Sequence, residues 1–225
     1  MGKRIVLGAV AILFVIAAAY ASFYVAPEER TMGVLQRIFY FHVASAWAGM
    51  DAFFLCFIAN LLYVWKRGQK YDWLGVSSAE VGLVLTTVVL ITGPIWAKPA
   101  WGIYWTWDAR LTSTFVLWLL YVSYLLLRTL IEEPERRALL SALFGIFAFI
   151  DVPLVFFSIR WWRTQHPAPV IMGGPGSGLE PTMQKVFFFS VLAMHLLMVF
   201  LVAERYVLEK TRNEVDVVMR EAEAQ

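Results

Sequence analysis

Six apolar stretches, each long enough to cross a hydrocarbon core of about 30 Å as a helix, constrain this chain more than any other feature. They run near Ile5 to Val25, Ile38 to Trp65, Val76 to Trp96, Leu111 to Leu130, Ala138 to Ile159 and Val186 to Val207. Of the 225 residues, 60% are hydrophobic and only 16% charged, a balance too apolar for an ordinary soluble domain. Strand-type alternation is absent, so a β-barrel is not expected. The expected fold is all-α: a polytopic membrane protein of six transmembrane helices. Residues 1–208 form the membrane domain and 209–225 a charged tail, read as a frayed helix.

Lys and Arg set the expected orientation. With a cytoplasmic N-terminus, the inner ends carry 12 of the 19 basic residues; the outer side holds Arg30, Arg37, Lys98, Arg110, Arg160, Arg163 and Lys185. The positive-inside rule then puts both termini in the cytoplasm. Ala19-Tyr20-Ala21 resembles a signal cleavage site, but the apolar run before it is too long for a signal core, so the first helix is expected to be retained. The single cysteine, Cys56, allows no intramolecular disulfide and no Cys-x-x-Cys pair, so a cofactor would be held without covalent linkage. The inner loops KRGQKYDW and EEPERR read as solvated connections. The outer loop HPAPVIMGGPGSGLEPT is rich in Gly and Pro and reads as mobile; it lacks the context of a phosphate loop.

Three outer segments stand out. WGIYWTWDARLT, Trp101 to Thr112, puts three tryptophans, a tyrosine, an aspartate and an arginine into the ten positions from Trp101 to Arg110. Gly93-Pro94 and Pro99 interrupt helical continuity, so Trp96 to Asp108 is expected to lie along the membrane surface. As a helix, Trp101, Trp105 and Asp108 share one face; as an extended segment, Trp101, Ile103, Trp105 and Trp107 do. An interfacial aromatic belt is the plain alternative. RIFYFHVASAW carries Arg37 and His42, and RWWRTQHP carries Trp161, Trp162 and His166. Two of only three histidines thus fall on the outer side, each flanked by aromatics and arginines.

Haem binding uses this set. Iron porphyrin takes neutral imidazole as an axial ligand, its macrocycle is covered well by aromatic rings, and its propionates pair with Arg. The outer loops hold seven positive charges against Glu28, Glu29, Asp108 and Glu180, a net of +3 that suits an anionic ligand. Asp108 either orients Arg110 or caps the helix that begins near Leu111.

At these residues the chain resembles the WWD-domain family of haem-handling membrane proteins, and within it cytochrome c maturation protein C. The likeness covers six spans, the WGxxWxWDxRLT segment in the second outer loop and one histidine in each flanking outer loop. Tyr104 stands where the family usually has another Trp, and Ala44 where a Pro is common. The resemblance implies that His42 and His166 are axial ligands to haem b bound non-covalently at the periplasmic face of the bacterial inner membrane. It places Trp101, Trp105, Trp107 and Asp108 around the haem, with Arg37 and Arg110 holding haem or its chaperone; Trp161 and Trp162 are further candidates. It also implies partners: the periplasmic haem chaperone cytochrome c maturation protein E, the ABC transporter subunits A and B, and the small D subunit. The Gly173 to Gly178 segment is read either as a device that moves His166 when haem leaves or as a plain connector.

Within the spans, Asp51 and Asp151 are expected to be hydrogen-bonded or to line a polar path, and His195 to be a buried neutral histidine. Rival readings are a b-type cytochrome subunit using His195, a solute transporter, and an assembly subunit whose tryptophans bind protein alone. No nucleophile and base are paired in the outer loops, so no catalysis is expected. The expected surroundings are lipid and protein, not nucleic acid.

Overall fold

A computed structural model describes residues 2–167, 169–171 and 178–223. Its helices are α1 (Gly2–Tyr20, prolonged by a π turn over Ala21–Val25), α2 (Ile38–Lys66), α3 (Gln69–Trp101), α4 (Ala109–Leu130), α5 (Pro134–Ala148), α6 (Asp151–Trp161) and α7 (Pro181–Glu223). Among the described residues there is no β-strand, only an isolated bridge between Glu29 and Gly33. Six segments are long and apolar enough to span a membrane, α5 and α6 together making one of them. In hydrocarbon a helix satisfies its own backbone, which is why runs of this length take that form.

Several boundaries differ from the sequence reading: α3 already begins at Gln69 within KRGQKYDW, where Asp72 is buried, and α5 at Pro134 within EEPERR, so neither stretch is simply a solvated connection. The third span does not end near Trp96 to leave the following residues along the surface; α3 continues through Pro94 and Pro99 to Trp101. A proline removes one backbone bond, whereas ending the helix at that depth would strand several, so the helix persists. It ends where Gly102 adopts a left-handed conformation (φ 81°), its N–H bonding back to the Lys98 carbonyl while Lys98 Nζ donates to the Gly102 carbonyl. The fifth span, in contrast, breaks at Phe149–Ile150: Pro153 lacks the N–H that would bond the Phe149 carbonyl four residues before it, and that carbonyl accepts from the Val152 amide at 3.0 Å instead. The charged tail continues α7 as regular helix to Glu223.

Helix α2 is the centre of the bundle, packed against α3, α5 and α7, while α1 leans on α7 and α4 joins α3, α5 and α6. Small residues bring the helices close, as expected where packing rather than water exclusion drives association. The Asn60 side chain is wedged between Gly75 of α3 and Gly145 of α5: an added Cβ would lie 2.7 Å from Oδ1 at the first and would collide with Nδ2 at the second. Phe53 sits over Gly82 and stacks on Tyr121 at 3.6 Å. At one end of the bundle Arg4 meets Glu204 at 3.1 Å, and Arg205 joins Glu80 and Glu209. The opposite end gathers the start of α2, the ends of α3 and α6 and the start of α4.

Candidate functional site

His42 lies in the first turns of α2 and packs on α3. Its Cε1 is 3.4 Å from where a Cβ on Gly93 would stand, which places the ring directly against α3 at that residue. Its Nδ1 lies 2.9 Å from Thr92 Oγ1, and that hydroxyl donates its single hydrogen to the Val88 carbonyl at 2.7 Å. The Thr92 oxygen therefore accepts from Nδ1–H, which leaves Nε2 with its lone pair. His166 reaches the same tautomer by another route: Nδ1–H donates to the Pro167 carbonyl at 3.0 Å. Neither Nε2 is hydrogen-bonded to a described residue. A ring held through Nδ1–H with a bare Nε2 is the arrangement of a metal-ligating imidazole and its outer partner.

The two rings share one electrostatic neighbourhood, His42 lying within reach of the charges of His166 and Arg110. Arg110 donates to the Val155 carbonyl, strapping the start of α4 to α6. Burial, and next the charge of Arg110, push His166 down to about 4 from its ordinary 6.5, so its imidazole is neutral at physiological pH. The sign is unfavourable to acid: the unfolded chain takes up a proton below 6.5 that the folded one refuses until about 4, so stability declines as pH falls through that window. Ligand affinity through this nitrogen is accordingly expected to stay level from about pH 8 to 5, where a free imidazole would already weaken, and to drop near pH 4. A haem titration followed by absorbance across that range measures it.

Asp108 is a junction. Its carboxylate caps α4 by accepting from the Arg110 and Leu111 amides at 2.9 and 3.1 Å, and accepts from Thr106 Oγ1 at 2.8 Å. It also accepts from the Gln165 amide at 3.2 Å, one residue before His166. Burial raises its pKa, but these donors and the Thr164 hydroxyl outweigh it and hold the carboxyl below its ordinary range. Of the two roles open from sequence, capping is the one formed; the guanidinium of Arg110 goes to Val155 instead.

The tryptophan-rich stretch follows neither periodic face. Trp101 ends α3 and packs edge-on to Trp96 at 5.1 Å, and Gly102 to Trp107 form an irregular loop. Trp105 and Trp107 meet at 5.7 Å and both lean on Phe115 of α4; Trp105 is half-buried, whereas Trp107 is 75% exposed. Trp161 stacks on Phe157 at 5.2 Å, and Trp162 lines a crevice between α4 and α6 with Ala109. Arg37 lines an apolar cleft of about 420 Å³ with Phe23, Val34, Ile38, Phe41 and Thr92, adjoining the His42 packing. The Arg37 Nε and Trp105 Nε1 donors are buried without a partner, a costly state that an acceptor-bearing ligand would relieve. Most of the Gly173 to Gly178 segment lies outside the described residues.

Thr92, Gly93, Thr106 and Gln165 join the site without having been expected; their links to His42 and Asp108 are tertiary, apart from Thr106, whose place two residues before the cap was visible. Thr92→Val is expected to weaken haem binding roughly 10- to 100-fold, as loss of an outer partner does at metal sites, and Thr92→Ser to restore it. Titration of the purified variants decides this.

The chain is 33% identical over 190 residues to "Heme exporter protein C" of Bradyrhizobium diazoefficiens, covering 84% of this chain and 70% of that protein. It is 31% identical over 174 residues to "Heme exporter protein C" of Escherichia coli K12, covering 76% and 69%. A "Putative cytochrome c biosynthesis ccmC-like mitochondrial protein" of Marchantia polymorpha is 33% identical over 149 residues, 66% of this chain and 63% of that protein. A family model described as "CcmC: Heme exporter protein C" matches residues 3–224, and the chain belongs to that family.

Proposed function

We propose that this chain binds haem b non-covalently between the Nε2 atoms of His42 and His166 and delivers it for c-type cytochrome biogenesis. The observation that carries the reading is the matched engagement of the two rings: two imidazoles at one end of the bundle, each held through Nδ1, by Thr92 Oγ1 and by the Pro167 carbonyl, with Nε2 open. Haem is the cargo, and its iron supplies the two coordination positions. Thr92 and Pro167 orient the rings, and Asp108 holds the His166 segment to the start of α4. Arg37 and Trp105 offer the unpartnered donors that propionates accept. Trp101, Trp105, Trp107 and Arg110 surround the ligand side, and Trp161 and Trp162 flank it along α6.

The site end faces the periplasm of a bacterial inner membrane, with both termini in the cytoplasm, an orientation that the distribution of Lys and Arg supports. The exposed indole of Trp107 leaves an edge where a periplasmic haem chaperone, cytochrome c maturation protein E, receives the cargo. The ABC transporter subunits A and B and the small D subunit complete the assembly. The names of the relatives support haem export and cytochrome c biosynthesis as the setting. A b-type cytochrome built on His195 is disfavoured, since both of its nitrogens are engaged, Nδ1 by the Val191 carbonyl at 2.7 Å and Nε2 by Asp51 at 2.9 Å. The absorption spectrum of the purified chain tests the choice. A Soret band kept in His195→Ala supports the rim site, and its loss there alone supports the cytochrome.

A further inference from the structure

Asp51 and His195 meet at mid-depth. Asp51 is 13 residues along α2 and His195 is 14 along α7, so each lies about 20 Å from the outer end of its helix at helical rise. His195 Nδ1–H is donated to the Val191 carbonyl and Nε2 faces Asp51 Oδ2 at 2.9 Å. One proton is shared across that contact whichever atom carries it, so the pair is neutral overall, and the second carboxyl oxygen of Asp51 is an acceptor in both forms. Yet the Asp51 side chain is 61% exposed. An acceptor open to hydrocarbon is costly, and polar groups at this depth face protein.

The apolar residues around the pair are spaced as along a helix seam. On α7, Phe188, Leu192 and Val199 are half-exposed at spacings of four and seven and flank His195 on its own stripe; on α2, Phe54 is exposed one turn from Asp51. We propose that this α2–α7 face receives a transmembrane helix of a different membrane protein, apolar along its length and carrying one N–H or O–H donor at mid-depth for Asp51. A two-fold pairing of this face with its counterpart on a second copy does not fit, because it would bring Asp51 against Asp51, acceptor to acceptor, and its His195 has no free N–H. The surface lies apart from the rim histidines, so the proposal stands whether or not they bind haem.

The test uses the full chain, fluorescently labelled on its tail, in phosphatidylcholine vesicles. The probes are two labelled leucine-rich transmembrane peptides of roughly 20 residues, one with a central Asn and one all-leucine, kept too dilute to self-associate. Energy transfer is expected to show the Asn peptide associating about fivefold or more tightly, the advantage one interhelical hydrogen bond gives model peptides. That preference should vanish in Asp51→Leu, survive in Asp51→Asn, which keeps a carbonyl acceptor, and vanish in Leu192→Trp, which fills the seam and leaves the pair intact. Equal association of both peptides overturns the proposal, as does a preference that outlives both Asp51→Leu and Leu192→Trp. Transfer between copies of the chain that depends on Asp51 overturns it in favour of self-association. Should Asp51→Leu fail to fold, Leu192→Trp decides alone.

Discussion

His42→Ala and His166→Ala are each expected to strip the purified protein of its haem, with affinity falling by more than the roughly tenfold to hundredfold that loss of an outer-sphere partner alone produces at metal sites. The reasoning is direct. Each ring presents one open nitrogen, and each is oriented by a single acceptor, Thr92 for His42 and the Pro167 carbonyl for His166. Alanine removes the ligand without disturbing that acceptor, and the chain retains no other histidine with a free nitrogen, since His195 is engaged at both atoms. The double variant should bind little more weakly than the weaker single one, because either loss already abandons the paired geometry. Haem content per protein, read from a pyridine haemochrome assay, checks this. Variants that purify with undiminished haem while folded would sink the two-ligand reading.

The second large effect is on folding. Arg128 at the end of α4 makes a bidentate pair with Asp72 in the first turn of α3, at 2.6 and 2.9 Å, and both side chains are only 10% exposed. Removing one partner leaves the other charge buried without compensation, a change that costs about 3–5 kcal/mol. Asp72→Leu is therefore expected to lower the melting temperature in detergent markedly. The double variant Asp72→Leu/Arg128→Met should recover much of the loss, because two apolar side chains replace two charges that both had to leave water. A double variant less stable than either single one would contradict the explanation.

Much of the architecture was legible because a bilayer admits few solutions. Uninterrupted apolar runs identify all six spans, and the placement of two histidines beside the same loop follows from counting crossings. Prolines were harder. Pro94 and Pro99 read as helix ends and proved to lie inside α3, while Pro153, in a run that read as unbroken, accompanies the break at Phe149–Ile150. The two cases look alike in sequence, since the outcome depends on what neighbouring helices and hydroxyls do for the freed carbonyls.

Side-chain partners were the least legible part. Thr92 is 50 residues from His42, Gln165 is 57 from Asp108 and Asp51 is 144 from His195, so no local pattern announces these pairs. Capping by Asp108 was foreseeable from its place before an apolar helical run. Its second task, fastening the segment that carries His166, required the fold.

Electron paramagnetic resonance of ferric haem bound to the purified chain tests the central claim most directly. Two imidazoles on one iron predict a low-spin signal in the wild type that converts to high-spin, or disappears with the haem, in His42→Ala and in His166→Ala alike. A low-spin signal that persists in both single variants would contradict it.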